Sequence, residues 1–266
     1  MGKSRSIAGA SDPHANRVVE FFDQRANDYA REYHDETPGG YALRVRRRKV
    51  LELFDQPGGK VLDLGCGPGA MAQELVERGC EFWGVDPSSK MLDIGRRRFR
   101  DHQRIHFLSG DAARVALPDG FFDAVLCMGV MDALGDRHRA IREMLRLLRP
   151  GGTLIVTFTN LSSPYAWWKN YIFYPLIWRW HALRARTVVS KLGGRALYTR
   201  RAARQLVQSE GAEVVQTVTH YYNVFLSPLD EVMPSAALWV AKKLEDQIWP
   251  RPEWIAAGLI VKARKI

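Results

Sequence analysis

The chain has 266 residues, of which 46% are hydrophobic and 26% are charged, which excludes a disordered or fibrous protein and predicts one large core. A formal net charge of +10 predicts attraction to an anionic partner, whether nucleic acid, an acidic lipid surface or an acidic substrate, unless the basic residues only form solvated helix faces. Cys66, Cys80 and Cys127 form an odd set without metal-ligand spacing, so we expect reduced thiols, a cytoplasmic location and no metal.

The first predicted elements are helices. Residues 1–17 lack the apolar run of a secretory signal and are interpreted as a disordered tail. Apolar residues at helical spacing over 18–33 predict an amphipathic helix that lies over the domain as a lid, and a second helix follows a Gly-Gly break. Residues 18–56 are therefore predicted to form an N-terminal helical cap.

Residues 57–160 alternate between short apolar runs and helical segments. This alternation is typical of repeated βαβ units around a parallel sheet. The predicted strands are 60–64, 81–85, 105–109, 124–128 and 153–159. An aromatic and basic insertion, 161–197, then interrupts the alternation, and residues 198–266 supply two more helices and the strands 213–220 and 258–262. The sequence thus predicts an α/β fold with a doubly wound, mainly parallel, seven-stranded sheet.

A glycine-rich turn follows the first predicted strand. Gly65, Gly67 and Gly69, with Cys66 between the first two, allow a ligand to approach the backbone closely. Asp63 precedes the turn, where its carboxylate would repel a pyrophosphate but suits a ligand that carries a free ammonium group. This position argues against a nicotinamide cofactor.

Two more acids follow the next two predicted strands. Asp86 is placed to accept hydrogen bonds from the hydroxyls of a ribose. Asp111 is placed to accept from an exocyclic adenine amine, while the backbone amide of Ala112 donates to a ring nitrogen. Any one of these acids is equally well explained as a helix cap or a turn residue. All three, in register with the glycine turn, predict a nucleoside ligand that carries an ammonium group.

These motifs resemble those of the class I S-adenosylmethionine-dependent methyltransferases. Segment 61–69 is similar to the first motif of that family, 84–86 to its second-strand acid, 109–112 to its adenine motif and 149–152 to its turn before the fifth strand. The resemblance implies a Rossmann-like methyltransferase fold and S-adenosylmethionine as the methyl donor, with S-adenosylhomocysteine as the product. It also implies roles for further residues: Gly65, Gly67 and the backbone near Cys127 hold the methionine moiety, Met91 packs against the adenine, and Tyr29 closes over the sulfonium.

Catalytic side chains are less clearly marked. Methyl transfer from a sulfonium depends mainly on alignment and desolvation, and a hydroxyl or phenol acceptor would benefit from a base. The candidates near strand ends are His220, Tyr222 and Asp132. His220 is the first choice because it closes a strand whose end faces the expected ligand crevice, and a purely structural histidine is the alternative.

The insertion is rich in aromatic residues. Its candidates for contact with substrate or membrane are Trp167, Trp168, Tyr171, Trp178 and Trp180, to which Tyr33 of the cap is added. The longest uncharged run is too short to cross a bilayer and contains Pro175. Aromatic rings flanked by Lys and Arg are typical of a membrane interface. The alternative is an aromatic lid on the core or a dimer interface.

The sequence therefore predicts methyl transfer to a hydrophobic, lipid-like or isoprenoid small molecule at an anionic membrane surface. Residues 220–223 and the layout of the C-terminal half also resemble the ubiquinone and menaquinone biosynthesis methyltransferases. A soluble methyltransferase of small molecules or natural products is the main alternative. A nucleic-acid methyltransferase is disfavoured because no RNA-binding module or Asn-Pro-Pro-Tyr motif is present, and a regulator that binds the cofactor without catalysis is the last alternative.

Overall fold

The structure is a computed structural model that describes residues 13–173, 175–176, 179, 196–226, 228–246 and 252–266. Trp178 and Trp180 lie outside the described residues. Two helices come first, α1 (Pro13–Glu32) and α2 (Pro38–Leu53). Helix α1 begins five residues before the predicted start at 18, because a helix accepts proline in its first turn, so residues 13–17 belong to α1 and not to the tail.

The alternating segment forms the strands and helices of the central sheet. The strands are β1 (Lys60–Leu64), β2 (Glu81–Asp86), β3 (Ile105–Ser109), β4 (Phe122–Cys127) and β5 (Leu148–Asn160). The helices between them are α3 (Ala72–Glu77), α4 (Ser89–Arg98) and α5 (Arg137–Leu147). The side chain of Ser88 accepts from the backbone amide of Met91 and so caps α4.

The C-terminal part completes the sheet. It contains α6 (Pro164–Trp168), a π-helical turn (Lys169–Phe173), β6 (Leu197–Tyr198), α7 (Arg200–Gln208), β7 (Ala212–Tyr222), α8 (Leu229–Val232), α9 (Pro234–Asp246) and β8 (Ala256–Lys265). Strand β8 is longer at both ends than the predicted strand 258–262, because it is paired on both sides, with β5 and with β7.

The strands form one sheet in the order β3-β2-β1-β4-β5-β8-β7, and β6 pairs with the end of β5. Strands β1 to β5 are parallel, whereas β8 is antiparallel to both of its neighbours. The predicted doubly wound, mainly parallel α/β sheet is therefore confirmed, with the two-residue β6 added to the seven expected strands. The carboxyl ends of β1 to β5 and of β7 meet at one edge, here called the carboxyl edge, where ligands of open α/β sheets bind.

Helices cover both faces of the sheet. One face packs against α5 and α7, with Ile141 fully buried in that layer. The other packs against α2, α3 and α4, where Val50 and Leu75 are fully buried. Because side chains alternate along a strand, Asp63 lies on the same face as Val61, toward α2. Helix α2 therefore covers the carboxylate that precedes the glycine turn.

Candidate functional site

The glycine turn between β1 and α3 has the backbone that its sequence predicts. Gly65, Gly67 and Gly69 have φ angles of +73°, +53° and +76°, which favour glycine. A Cβ on Gly67 would lie 3.6 Å from Cε1 of Tyr29 and 3.9 Å from Sδ of Met91. The turn thus brings together Tyr29 of α1 and Met91 of α4, the two residues to which the resemblance assigns contacts with the cofactor.

Asp63 is fully buried, and neither of its carboxylate oxygens has a hydrogen-bond partner. Burial, with a contribution from Asp86, raises its pKa to about 7, while Arg46 acts in the opposite direction. A buried acceptor without a donor is costly, and native proteins rarely keep one without a reason. The carboxylate is therefore positioned for a ligand that brings an ammonium or another N–H donor.

Asp86 is held in place by backbone amides. Its Oδ2 accepts from the amide of Gly67 at 2.9 Å and its Oδ1 from the amide of Ser88 at 2.8 Å. Burial raises its pKa, and these two amides partly oppose that effect. A carboxylate has about four acceptor positions, so Asp86 keeps acceptor capacity for hydroxyl groups of a ligand.

Asp111 follows β3, the next strand along the carboxyl edge. Its Oδ1 accepts from the amide of Ala113 at 2.9 Å, and the residue is exposed, whereas Ala112 is buried. The backbone amide of Gly110 donates to the carbonyl of Asp86, so the second and third acid positions adjoin. The three acids predicted from the sequence therefore lie in order along one edge.

Cys66 and Cys127 line the interior of the same edge. Both thiols are buried, and burial raises the pKa of each well above its ordinary value. Cys127 ends β4 and pairs in register with Leu64 at the end of β1. The backbone beyond Cys127 therefore leaves the sheet beside the glycine turn, as the resemblance implies.

Arg46 is a site residue that the sequence did not single out. Its guanidinium lies over Gly129, where a Cβ would be 2.4 Å from Nη1, and it interacts with the hydroxyls of Tyr29 and Tyr33. Burial lowers the pKa of Arg46, but the two tyrosines raise it, and the net result is a pKa above the ordinary value. It is close enough to Asp63 to lower the pKa of that acid without a hydrogen bond between them. The only sequence signal was the basic run 44–49.

The three catalytic candidates have different environments. Burial, with Arg46 and Lys49, lowers the pKa of His220 to about 3, and its Nδ1 has no hydrogen-bond partner. The hydroxyl of the buried Tyr222 lies 2.6 Å from Oγ1 of Thr219. Asp132 accepts from the hydroxyl of Thr159 and from its amide at 3.3 Å. Among the described contacts, no hydrogen bond joins these three candidates to one another.

The aromatic candidates divide into two groups. Trp167 and Tyr171 are 48% and 55% exposed, and their rings lie 6.0 Å apart, whereas Trp168 is half-buried. Tyr33 instead lies beside Tyr29, with 5.7 Å between the ring centroids, and burial raises its pKa. Tyr33 therefore packs with Tyr29 and Arg46 and not with the exposed pair.

Exposed apolar side chains collect at the carboxyl edge. Among the described residues, the large exposed apolar side chains on segments that leave or enter this edge form a set here called the apolar rim: Leu161, Trp167, Tyr171, Leu176, Val224, Leu229, Val232, Met233, Trp239 and Trp254. The two remaining ones, Val215 and Ile266, lie toward the opposite edge. Within the described part of the chain, no helix is long and apolar enough to cross a bilayer.

Comparisons with known proteins agree with this geometry. Residues 62–156 match a family described as a methyltransferase domain. A demethylmenaquinone methyltransferase from Beutenbergia cavernae is 38% identical over 157 residues, which are 58% of this chain and 60% of that protein. A ubiquinone/menaquinone biosynthesis C-methyltransferase from Laribacter hongkongensis is 33% identical over 159 residues, 58% of this chain and 64% of that protein. The match therefore spans about three fifths of the length of these relatives.

A solved structure shares the fold over most of the chain. The magnesium protoporphyrin IX methyltransferase from Synechocystis, crystallised with bound S-adenosylhomocysteine, is 16% identical, covers 95% of this chain and 100% of its own, and has a TM-score of 0.63. At that identity the likeness establishes the fold alone. The family match and the structural match share the strands from β1 to β5, which carry the three acids.

Proposed function

We propose that this protein, whose residues 62–156 match a methyltransferase domain, transfers the methyl group of S-adenosylmethionine to a hydrophobic, lipid-like or isoprenoid acceptor. One observation supports the donor above all others. The buried carboxylate of Asp63 has no hydrogen-bond partner, and the half-buried Arg46 is close enough to lower its pKa without bonding to it. An unpaired anion near a cation suits the ammonium and the carboxylate of an α-amino acid.

S-Adenosylmethionine fits this arrangement of donors and acceptors. Its ammonium suits the oxygens of Asp63 and its carboxylate suits the guanidinium of Arg46. The remaining acceptor positions of Asp86 suit the ribose hydroxyls, while Asp111 and the amide of Ala112 suit the adenine. These residues supply a partner for each polar end of the molecule.

Bound S-adenosylmethionine supplies an electrophilic methyl group on a leaving group that is already activated. The protein then has to orient the acceptor and to exclude water. Tyr29 of α1 lies over the glycine turn, and both Tyr29 and Tyr33, the residue after α1, lie against Arg46. These contacts support a role for α1 as a lid. Water excluded by this lid would strengthen every charge interaction beneath it.

The environments of the three catalytic candidates favour a role in orienting the acceptor over a role in proton transfer. A pKa of about 3 makes His220 a neutral side chain and a weak base, so we assign it a hydrogen bond to the acceptor. Asp132 and Tyr222 already bond to threonine hydroxyls, which favours a role in shaping the site. No strong base is required when the acceptor carbon or oxygen is already electron-rich.

The apolar rim supports the acceptor class. An acceptor with a long apolar tail would bury that tail against these side chains at the edge where the cofactor site opens. The names of the two relatives, which mention menaquinone and ubiquinone, support an isoprenoid quinone-type acceptor. The rim and the net charge of +10 also support approach to an anionic membrane surface.

Two measurements test this proposal. Calorimetry with S-adenosylhomocysteine tests the donor site, and absence of binding would contradict the whole proposal. Mass spectrometry of a cell lipid extract, incubated with the protein and labelled S-adenosylmethionine, should detect an apolar molecule that gains one methyl group. Transfer only to water-soluble acceptors in the absence of detergent would favour a soluble natural-product methyltransferase instead.

A further inference from the structure

Another buried carboxylate lies at the carboxyl edge, apart from the three acids of the cofactor site. Asp230 of α8 is only 4% exposed. Its Oδ2 accepts from the hydroxyl of Tyr165 on α6 at 3.1 Å, and its Oδ1 has no hydrogen-bond partner. A buried carboxylate oxygen without a hydrogen bond lowers the stability of the folded protein, so Oδ1 is a candidate acceptor for a ligand.

The surroundings of Asp230 place it on the acceptor side of the cofactor site. The ring of Tyr221 lies 6.4 Å from the ring of Tyr165 and 6.4 Å from that of Tyr41 on α2. Tyr221 directly follows His220, which is close enough to Arg46 for that cation to lower its pKa. The cluster of Tyr41, Tyr165, Tyr221 and Asp230 is therefore close to the methionine end of the proposed cofactor site.

Tyr221 has a strained backbone conformation within this cluster. Its φ angle is +55°, and among the described residues it is the one non-glycine residue in that region. Such a conformation is strained for a residue with a Cβ and is often found at functional sites. It lets the ring of Tyr221 pack between Tyr41 and Tyr165, directly after His220 at the end of β7.

The charges around Asp230 restrict the ligand. The ammonium of Lys169 donates to the hydroxyl of Tyr165 at 2.8 Å, so a cation already lies one hydrogen bond from the carboxylate. A second cation beside it would be repelled. Leu229 and Val232, on the same short helix as Asp230, are exposed and apolar. A neutral hydroxyl on an apolar body therefore fits better than an amine.

We propose that Asp230 anchors the acceptor by accepting, through Oδ1, a hydrogen bond from a hydroxyl group on an otherwise apolar ring, as in an alkylated hydroquinone. This inference rests on the proposed function and specifies its acceptor. Tyr165 is a positioning residue, since it holds the other oxygen of Asp230 in place.

The first test uses the unmodified protein saturated with S-adenosylhomocysteine. A hexyl-substituted hydroquinone and its dimethyl ether differ mainly in the hydroxyl hydrogens. We expect the hydroquinone to bind at least about ten-fold more tightly, because a hydrogen bond to a buried charge contributes roughly 1.5–3 kcal/mol. Equal binding of the two compounds would overturn the inference. Failure of S-adenosylhomocysteine to bind would overturn the proposed function instead.

The second test inverts the polarity of the anchor. In Asp230→Asn the amide oxygen can still accept from Tyr165, while the amide nitrogen replaces the acceptor with a donor. We expect hydroquinone binding to fall about ten-fold or more, with binding of the dimethyl ether unchanged or improved. If Asp230 has only a structural role, the substitution should weaken the binding of both ligands equally. The matched control is Glu231→Gln, an exposed residue of the same helix, for which neither affinity should change.

Discussion

Burial raises the pKa of Asp63 to about 7, so this residue is protonated in the ligand-free protein at lower pH. An unfolded aspartate ionises near pH 3.9. Because the folded pKa is the higher one, Asp63 lowers the stability of the ligand-free protein as the pH rises from about 4 through about 7. An ammonium group beside the carboxylate would reverse this effect by favouring the ionised form.

A pH dependence of cofactor binding follows. We expect the affinity for S-adenosylhomocysteine to rise with pH up to about 7, since the ligand ammonium requires the ionised form of Asp63. Calorimetry from about pH 5.5 to about pH 7.5, in buffers of different ionisation enthalpy, would also detect the released proton. Asp63→Asn should bind weakly and without this dependence. An affinity of the unmodified protein that does not change over the range would contradict the assignment.

The proposed contact between Arg46 and the carboxylate of the cofactor can be tested with a ligand that lacks this carboxylate. We expect Arg46→Met to weaken the binding of S-adenosylhomocysteine by roughly ten-fold to a hundred-fold, because the carboxylate of the ligand loses its charged partner. Methylthioadenosine lacks the amino-acid end, so its calorimetric affinity should stay nearly constant. The matched control is Arg48→Met on the same helix, whose half-exposed side chain pairs with Glu52 at 3.7 Å and interacts with Tyr41. Equal losses for both ligands would argue for a structural role of Arg46.

At the scale of elements, Asp23 attaches α1 by hydrogen bonds to the turn beside the cofactor site. Oδ1 of Asp23 accepts from the hydroxyl of Ser88 at 2.5 Å and from the amide of Lys90 at 3.4 Å. Ser88 in turn caps α4 and donates its own amide to Asp86. The lid therefore shares hydrogen bonds with the turn that holds the second acid.

Removal of this attachment should loosen the lid. In Asp23→Ala we expect faster hydrogen exchange of the α1 amides and several-fold weaker binding of S-adenosylhomocysteine, since a capping interaction contributes about 1 kcal/mol. Mass spectrometry of exchanged peptides measures the first effect and calorimetry the second. Asp28→Ala is the control, because Asp28 bonds only to the exposed Arg31 on the same helix. Exchange rates in α1 that match those of the control would refute the attachment.

At the scale of the whole molecule, the exposed apolar surface and the positive net charge both favour association with an anionic membrane. The apolar rim lies at the edge where the cofactor site opens, and the chain carries a formal net charge of +10. Aromatic rings enter the headgroup region of a bilayer, while cations are attracted to anionic lipid. A protein of this kind would meet a lipid-dissolved acceptor with its site facing the membrane.

Vesicle flotation measures this association. We expect flotation with vesicles that contain anionic lipid, and less of it as the salt concentration rises. Replacement of Trp167, Trp239 and Trp254 by alanine should lower the bound fraction at least about ten-fold, since each buried ring contributes on the order of 1.5–3 kcal/mol. The matched control is Val215→Ser, which changes an exposed apolar residue toward the opposite edge. Flotation that is unaffected by the triple replacement would exclude the rim as the docking surface.

The sequence by itself determined the order of the strands along the chain, the glycine turn and the three acids. These features depend on local patterns: apolar runs set the strands, and glycine sets the turn between β1 and α3. In a parallel sheet, residues that follow successive strands meet at one edge, so Asp63, Asp86 and Asp111 could be brought together from the chain order alone.

Only the tertiary structure decided which other side chains join that edge. Arg46 was one of several basic residues in a helix, and the packing of α2 on the sheet brings it close to Asp63 and to Tyr29. Asp230 and Tyr165 are 65 positions apart, and their hydrogen bond forms because α6 and α8 both follow strands that end at the carboxyl edge. Contacts between distant segments depend on how helices pack on the sheet, and local periodicity contains no information about that packing.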